Sequence, residues 1–244
     1  MSAQQPPSAD RRAFLKGAGV AAVALPVAAI SQPSPAQTPP AAAAIAAQNG
    51  PVGFQSLSLE EAAFTEALVD HMWPKDELTA SGAELGIAAF IDRQLAGADG
   101  QGDRHYLQGP FRKGKPKHGD QLPLTPEQYF KAGVAATDAA CRMKFSKPFD
   151  KLAPAERESF LQDLAAVRVK GGSIQLGTWF NALVCPLFVQ GAFADPIYGG
   201  NRDKAAWKLI GYPGLPAVYG QDVERYRGRA HPRSATPQSI QDLS

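Results

Sequence analysis

The chain has 244 residues, of which 44% are apolar and 20% charged, and this is enough to bury one sizeable core. Its two cysteines are too few for an iron–sulfur cluster held by cysteines alone or for a multi-cysteine zinc site. Three basic residues and one acidic residue before position 52 account for the whole net charge of +2, so the remaining 22 basic and 22 acidic residues balance. The body of the chain therefore has no general positive field for nucleic acid, and binding of DNA or RNA is not expected.

The N-terminus has the order of an export signal, with a charged segment followed by the uncharged, small-residue run 17–30. It resembles a twin-arginine (Tat) signal peptide through Arg11, Arg12, Phe14, Leu15 and Lys16, although an aspartate stands where Ser or Thr is preferred. Residues 1–30 are therefore predicted to be a Tat signal read by the Tat translocase. Residues 31–56 are rich in Pro and Ala without periodic hydrophobicity and are predicted to be a linker.

Helical periodicity begins near Leu57, and five helices are predicted in the body of the chain. Ser58 with Glu61 forms a capping-box signature for the first, and Thr125 and Gln128 flank a helix-starting proline in the third. Pro186 is expected to kink or split the last one, which is apolar almost all round and predicted to be central. The expected ranges are about 59–72, 81 or 82 to 95, 126–145, 154–169 and 173–190.

The predicted fold class is all-α, because no segment shows the sustained alternation typical of a strand. We expect a small irregular helical bundle with a loop-rich C-terminal tail. The helical domain is predicted to span residues 57–230, and residues 231–244 are predicted to be a flexible tail.

The motifs of common enzymes are missing from the sequence. None of the four histidines lies in a catalytic motif, and there is no H-E-x-x-H, EF-hand loop, P-loop or G-x-S-x-G. We therefore expect no catalytic, cofactor-binding or metal-binding residue in this chain. The run 112–118 places four permanent positive charges in seven residues, which indicates either a solvated loop or a docking site for an acidic partner or anionic lipid.

The two cysteines, Cys141 and Cys185, fall on different predicted helices. Because export leads to an oxidising compartment, a disulfide between them is one interpretation. The alternatives are two small buried apolar side chains and a bridge to a partner subunit.

The segment 191–214 is dense in Gly, Pro and aromatic residues and is the most informative part of the sequence. Gly199 and Gly200 permit positive φ, and Asp203 can pair with Arg202 or cap a short helix. Such a segment either packs on its own core as an Ω-like loop or binds a partner. On the second interpretation the interface residues are Asp195, Pro196, Tyr198, Gly199, Gly200, Asn201, Arg202, Asp203, Trp207 and Tyr212.

The strings ADPIYGGNRDKAAWKLIGYPG (194–214) and FIDRQL (90–95) resemble the gluconate 2-dehydrogenase subunit 3 family. Its members are small, gamma-type subunits of bacterial membrane-bound sugar and sugar-acid dehydrogenases. The resemblance covers about residues 57–216. The family also serves fructose, sorbitol and glucose dehydrogenases, and the long insertion after Leu95 is more like the gluconate branch.

The resemblance implies a non-catalytic accessory subunit. In the family, a large flavoprotein subunit carries FAD and the substrate site, and a multihaem cytochrome c subunit passes electrons to membrane quinone. The small subunit supplies Tat export and maturation, so the expected location is the periplasm, at the inner membrane. The alternative is an independent periplasmic sugar-acid-binding protein or enzyme that uses Arg202 as a carboxylate fork.

Overall fold

The computed structural model describes residues 53–106, 108–112, 114–115, 122–216 and 218–243. Among these residues it contains seven helices and no strand, so the all-α prediction is confirmed. The predicted export signal, Arg11 to Lys16, lies outside the described residues. The helices are α1 (Leu59–Met72), α2 (Ile87–Ala96), α3 (Pro126–Phe145), α4 (Pro154–Ala165), α5 (Leu176–Phe193), α6 (Ala205–Ile210) and α7 (Gly220–Arg225).

The two helices with capping boxes begin where the sequence predicts. At the start of α1, the Ser58 hydroxyl accepts from the Glu61 backbone N–H, and the Glu61 carboxylate accepts from the Ser58 backbone N–H. Thr125 and Gln128 make the same reciprocal pair at the start of α3. These pairs satisfy N–H groups that lack partners inside the helix, which fixes both starting points locally.

The core is an aromatic cluster between α1, α3 and α5. Trp179 of α5 is fully buried, with its ring centroid 6.0 Å from that of Phe130 and 6.5 Å from that of Phe64. A Cβ atom on Gly133 of α3 would collide with the indole of Trp179, so the glycine lets the two helices approach closely. This contact sets the position of α5 in the bundle.

Helix α2 begins at Ile87, so the predicted start at residue 81 or 82 is wrong. Residues 82–86 form turns, and Gly86 has φ +80°, in the left-handed region. A Cβ atom on Gly86 would also collide with the carbonyl oxygen of Gly199. The tail of the chain occupies the space next to Gly86, and the helix starts only after this contact.

Two other helix boundaries differ from the predictions. Helix α4 ends at Ala165 rather than near residue 169, because Val167 takes a left-handed conformation with φ 59°. Helix α5 runs from Leu176 to Phe193 and is not split by Pro186. A π-helical turn at Phe180–Val184 lies directly before the proline and accommodates the residue that cannot donate a backbone hydrogen bond.

Helix α5 also has the length and composition of a membrane-spanning segment, and among the described residues no other helix meets both criteria. Part of it is buried in the protein, as the central position of Trp179 requires.

A buried carboxylate attaches the N-terminal segment to α2. Asp92 has 2% of its surface exposed and accepts three backbone N–H groups, from Gln55 at 2.6 Å, Ser56 at 2.8 Å and Leu57 at 2.9 Å. Burying a carboxylate costs free energy unless it accepts hydrogen bonds, and the three backbone N–H groups provide them. Residues 55–57 therefore lie against α2, at the junction between the predicted linker and the helical domain.

A second carboxylate, Glu127 at the start of α3, joins three parts of the chain. Its Oε1 accepts from the Ser56 hydroxyl at 2.6 Å and from Lys131 Nζ at 2.8 Å, and its Oε2 accepts from Gln101 Nε2 at 2.9 Å. The hydrogen bonds from Lys131 and Ser56 lower the pKa of Glu127 to about 2. The ionised form is therefore stabilised specifically in the folded protein.

We predict that Glu127→Gln lowers the free energy of unfolding at pH 7 by about 1 kcal/mol, because a neutral amide replaces an ionised acceptor at a largely but not fully buried site. The pKa of Glu127 is lower in the folded chain than in the unfolded one, so its contribution is complete above about pH 4.5 and is lost as the pH falls toward about 2. Urea denaturation at pH 7 and pH 3 measures this. Glu66→Gln, at an exposed position of α1, is the matched control. If the difference in the free energy of unfolding between the wild type and Glu127→Gln were equal at both pH values, this prediction would be wrong.

Candidate functional site: the tail docked on helix α2

The tail segment that follows α5 is fixed to its own domain from its first residues. Asp195 Oδ1 accepts from the Ile197 N–H at 3.1 Å and caps the 3₁₀ turn Pro196–Tyr198. Asp195 Oδ2 accepts from the Ile240 N–H at 2.8 Å. Both carboxylate oxygens of this predicted interface residue are thus used to join two parts of the tail.

Asn201 lies at the centre of the tail and is fully buried. Its Nδ2 donates to the Ala194 carbonyl and its Oδ1 accepts from the Ala206 N–H, both at 3.0 Å. The residue has φ 47°, a conformation that asparagine tolerates better than most residues. The side chain connects the end of α5 to the start of α6.

The two glycines before Asn201 allow the backbone to approach its neighbours. Gly199 has φ +102°, and a Cβ atom there would press on the guanidinium of Arg93 in α2. A Cβ atom on Gly200 would collide with the carbonyl oxygen of Gly191 in α5. The glycines are therefore explained by close packing of the tail on α2 and α5.

Arg202 is held by the turn that precedes α2. Its backbone N–H donates to the Leu85 carbonyl at 3.1 Å, and its Nη1 donates to the Glu84 carbonyl at 3.3 Å. Neither alternative for Asp203, an ion pair with Arg202 or a cap of α6, is formed in the structure, and the Ala206 N–H at the start of α6 donates to Asn201 Oδ1 instead. Asp203 itself is exposed and has φ 56°.

The aromatic residues of the tail have different environments. Trp207 is 5% exposed, donates from Nε1 to the Phe193 carbonyl at 2.7 Å and packs edge-on against Tyr212 at 5.0 Å between centroids. Tyr198 is 52% exposed. Trp207 is thus part of the domain's own packing. Of the aromatic residues predicted to contact a partner, Tyr198 is the most exposed.

An open apolar pocket of about 430 Å³ lies beside Trp207. Phe193 forms part of its wall, with Ile210 from α6 and Ile240 from the C-terminal segment. No sequence pattern predicts this pocket, because Ile240 is 33 positions from Trp207 and the two share no periodic pattern. The remaining lining residues are Asp195, Tyr212, Gly214 and Leu215.

Residues 231–243, predicted to belong to a flexible tail, contact the preceding tail segment in the structure. Arg233 Nη1 donates to the Leu215 carbonyl at 2.5 Å, and Ser234 Oγ donates to the Gly211 carbonyl at 2.9 Å. The His231 ring packs edge-on against Tyr226, with 4.7 Å between centroids. The C-terminal segment thereby helps to form the pocket.

The cysteines are both free thiols in the structure, so the internal disulfide left open by the sequence is not formed there. Cys141 is fully buried in α3, and burial raises the pKa of its thiol to about 12. This fits the interpretation of Cys141 as a small buried apolar side chain and leaves no surface for a bridge to a partner. Cys185 of α5 is only partly buried, and burial also raises the pKa of its thiol.

Together these features define an all-helical protein whose tail is bound to its own core and bears an open apolar pocket. Compared with known protein families, residues 59–214 match the model described as gluconate 2-dehydrogenase subunit 3, and the chain belongs to this family. The match runs from the first residue of α1 to Gly214 and includes every predicted interface residue. No curated protein and no solved structure matches the chain.

We predict that Trp207→Ala destabilises the isolated chain by about 3 kcal/mol or more, because it removes a buried indole and its hydrogen bond. Tyr198→Ala, at an exposed position of the same tail, should change the free energy of unfolding by less than about 1 kcal/mol. Chemical denaturation of both variants measures the difference. Equal stability of the Trp207→Ala variant and the wild type would mean that the tail is not part of the folded domain.

Proposed function

We propose that this chain is the non-catalytic small subunit of a membrane-associated, FAD-dependent gluconate 2-dehydrogenase complex. The observation that carries the proposal is the family match over residues 59–214. On this proposal FAD belongs to a large flavoprotein subunit, haem c belongs to a multihaem cytochrome subunit, and the complex lies in the periplasm at the inner membrane. The chain supplies export and maturation of the flavoprotein through its Tat signal.

The use of the tail side chains supports a structural role for this segment. Asp195, Asn201 and Arg202 all form hydrogen bonds to backbone atoms of the same domain. A polar group that satisfies a backbone partner is less available to orient a substrate, because releasing it would leave that partner without its hydrogen bond. The polar residues of the family string are thus accounted for by the fold.

The alternative function is an independent periplasmic sugar-acid-binding protein or enzyme in which Arg202 binds the carboxylate. The observation that favours this alternative is the exposure of Arg202, although its Nη1 donates to the Glu84 carbonyl. Calorimetric titration of the isolated chain with gluconate separates the two functions. The small-subunit proposal expects no binding and no dye reduction, whereas binding that is lost in Arg202→Ala would support the alternative.

The export role predicts a specific effect of Arg11→Lys with Arg12→Lys. The double change keeps the charge and removes two planar guanidinium groups, so the Tat receptor should no longer recognise the signal. We expect this subunit and the flavoprotein to remain in the cytoplasm and periplasmic gluconate oxidation to be lost. Fractionation followed by immunoblotting of both subunits measures this.

Arg225→Lys with Arg227→Lys is the control for this experiment, because it makes the same double change at two exposed positions far from the signal. Export of both subunits should continue in that variant. A flavoprotein that still reaches the periplasm in the double lysine variant would show that it is exported independently, and the carrier role would be wrong.

A further inference from the structure

Helix α5 has an uncharged face that the domain does not cover. Its 18 residues, Leu176–Phe193, include no Asp, Glu, Lys or Arg. Trp179 and Val184 bury one side of the helix in the core. The other side bears the exposed residues Ala182, Pro186, Val189 and Phe193, with the partly buried Cys185 at its edge, and we call these five residues the α5 strip.

Spacings of three and four residues place the members of the strip along one face of the helix. Ala182 and Pro186 are exposed, Val189 is 52% exposed and Phe193 is 36% exposed. From Ala182 to Phe193 the strip is about 17 Å long at 1.5 Å per residue. An apolar face of this length at the surface costs free energy in water, and such patches are often binding sites.

The strip continues into the apolar pocket beside Trp207. Phe193 belongs to both, as the last residue of α5 and as part of the pocket wall. On the far side of the pocket Ile210 is 59% exposed and Ile240 is 41% exposed. The strip and the pocket are therefore joined at Phe193, so the exposed apolar face of α5 leads into the pocket.

The chemistry of this surface favours a protein partner over a lipid bilayer. Gln190 is exposed next to the strip and its amide group needs hydrogen-bond partners, whereas Nδ2 of the neighbouring Asn181 already donates to the Ala165 carbonyl at 2.9 Å. The hydrocarbon of a membrane supplies none, whereas the polar rim of a protein interface does. The opposite side of α5 is anchored by Trp179, so the helix cannot leave the core to enter a membrane.

The charges at the pocket end indicate what the partner carries. Asp242, near Ile240, is neutralised by Lys204 at 2.7 Å, and both oxygens of Asp195 accept backbone N–H groups. Lys208 is exposed and is the charged residue of α6, between Trp207 and Ile210. A complementary partner is therefore apolar along α5 and acidic where it passes α6.

We propose that the α5 strip and the pocket dock an apolar segment of the large dehydrogenase subunit, with an acidic side chain of that segment facing Lys208. This inference rests on the proposed function, since it requires a large subunit. It assigns the interface to α5, α6 and the pocket, whereas the string from Gly199 to Asp203 holds the tail in place.

Cys185 is a natural probe of this surface. The chain has two cysteines, and the fully buried Cys141 should not react in the folded protein, so maleimide labelling reports Cys185. In the isolated full chain we expect slow labelling of one thiol at pH 8. In the purified complex the rate should fall at least ten-fold. An unchanged rate would mean that α5 stays uncovered and would overturn the proposal.

Val189→Asp should weaken association with the large subunit at least ten-fold, because it places a charge in the middle of the strip. Val223→Asp is the matched control: it makes the same change at an exposed helical valine that lies outside the family match, and association should be retained. Lys208→Glu should also weaken association, and Lys208→Arg should not. If Val189→Asp does not fold, as judged by circular dichroism, Ala182→Glu at the other end of the strip replaces it.

The outcomes separate this inference from the proposed function. If the wild-type chain co-purifies with no flavoprotein, both are wrong. If it does co-purify and neither strip variant weakens the complex, only the docking surface is wrong. Binding of the chain to anionic vesicles that Val189→Asp abolishes would assign the strip to a membrane, and a self-association that Val189→Asp abolishes would assign it to a second copy; either result would overturn the proposal.

Discussion

The buried carboxylate of Asp92 holds the N-terminal end of the domain on helix α2, which is also the helix that the tail contacts. It fixes residues 55–57 through three backbone N–H groups, and the next residue along α2, Arg93, lies against Gly199 of the tail. Neighbouring residues of one helix thus contact the beginning and the end of the domain. A shift of α2 would therefore disturb the N-terminal attachment and the tail contact together, because both are made to the same helix.

The two strings that carry the family resemblance are far apart in the sequence but contact each other in the structure. The string at 90–95 contains Asp92 and Arg93, and the string at 194–214 contains Gly199 and Asn201. In the structure they form one packed unit, in which glycines permit close approach and Asn201 bonds the backbone on both sides. Arg93, Gly199 and Asn201 hold the tail in position, and this position also shapes the pocket.

The sequence predicted what depends on nearby residues. The starts of α1 and α3 follow from Ser58 with Glu61 and from Thr125 with Gln128, all within one helical turn, and both are found as predicted. The predicted start of α2 is wrong because the observed start depends on Gly199. This residue is 113 positions after Gly86 and occupies the space beside Gly86. Contacts over that distance leave no trace in local periodicity.

The turn-rich segment could be singled out from the sequence, but the environment of each of its residues could not be predicted from residue type. Trp207 and Tyr198 are both aromatic residues in a turn-rich string, and only the structure shows that one is buried and the other exposed. The exposed strip on α5 could not be predicted, because a helix that is apolar on every side is expected to be completely buried. The combination of an internal tail and an open α5 face is a consequence of three-dimensional packing.

Hydrogen exchange followed by mass spectrometry on the isolated chain tests the central claim most directly, since that claim is that the tail belongs to the fold before any partner binds. The amides of Leu57, Arg202 and Ala206 donate to Asp92, Leu85 and Asn201. We predict that these amides are protected in the isolated chain to the same extent as those in the helices of the core. Rapid exchange of residues 195–207 in the isolated chain, with protection appearing only in the complex, would contradict it and would make the tail a segment that orders on its partner.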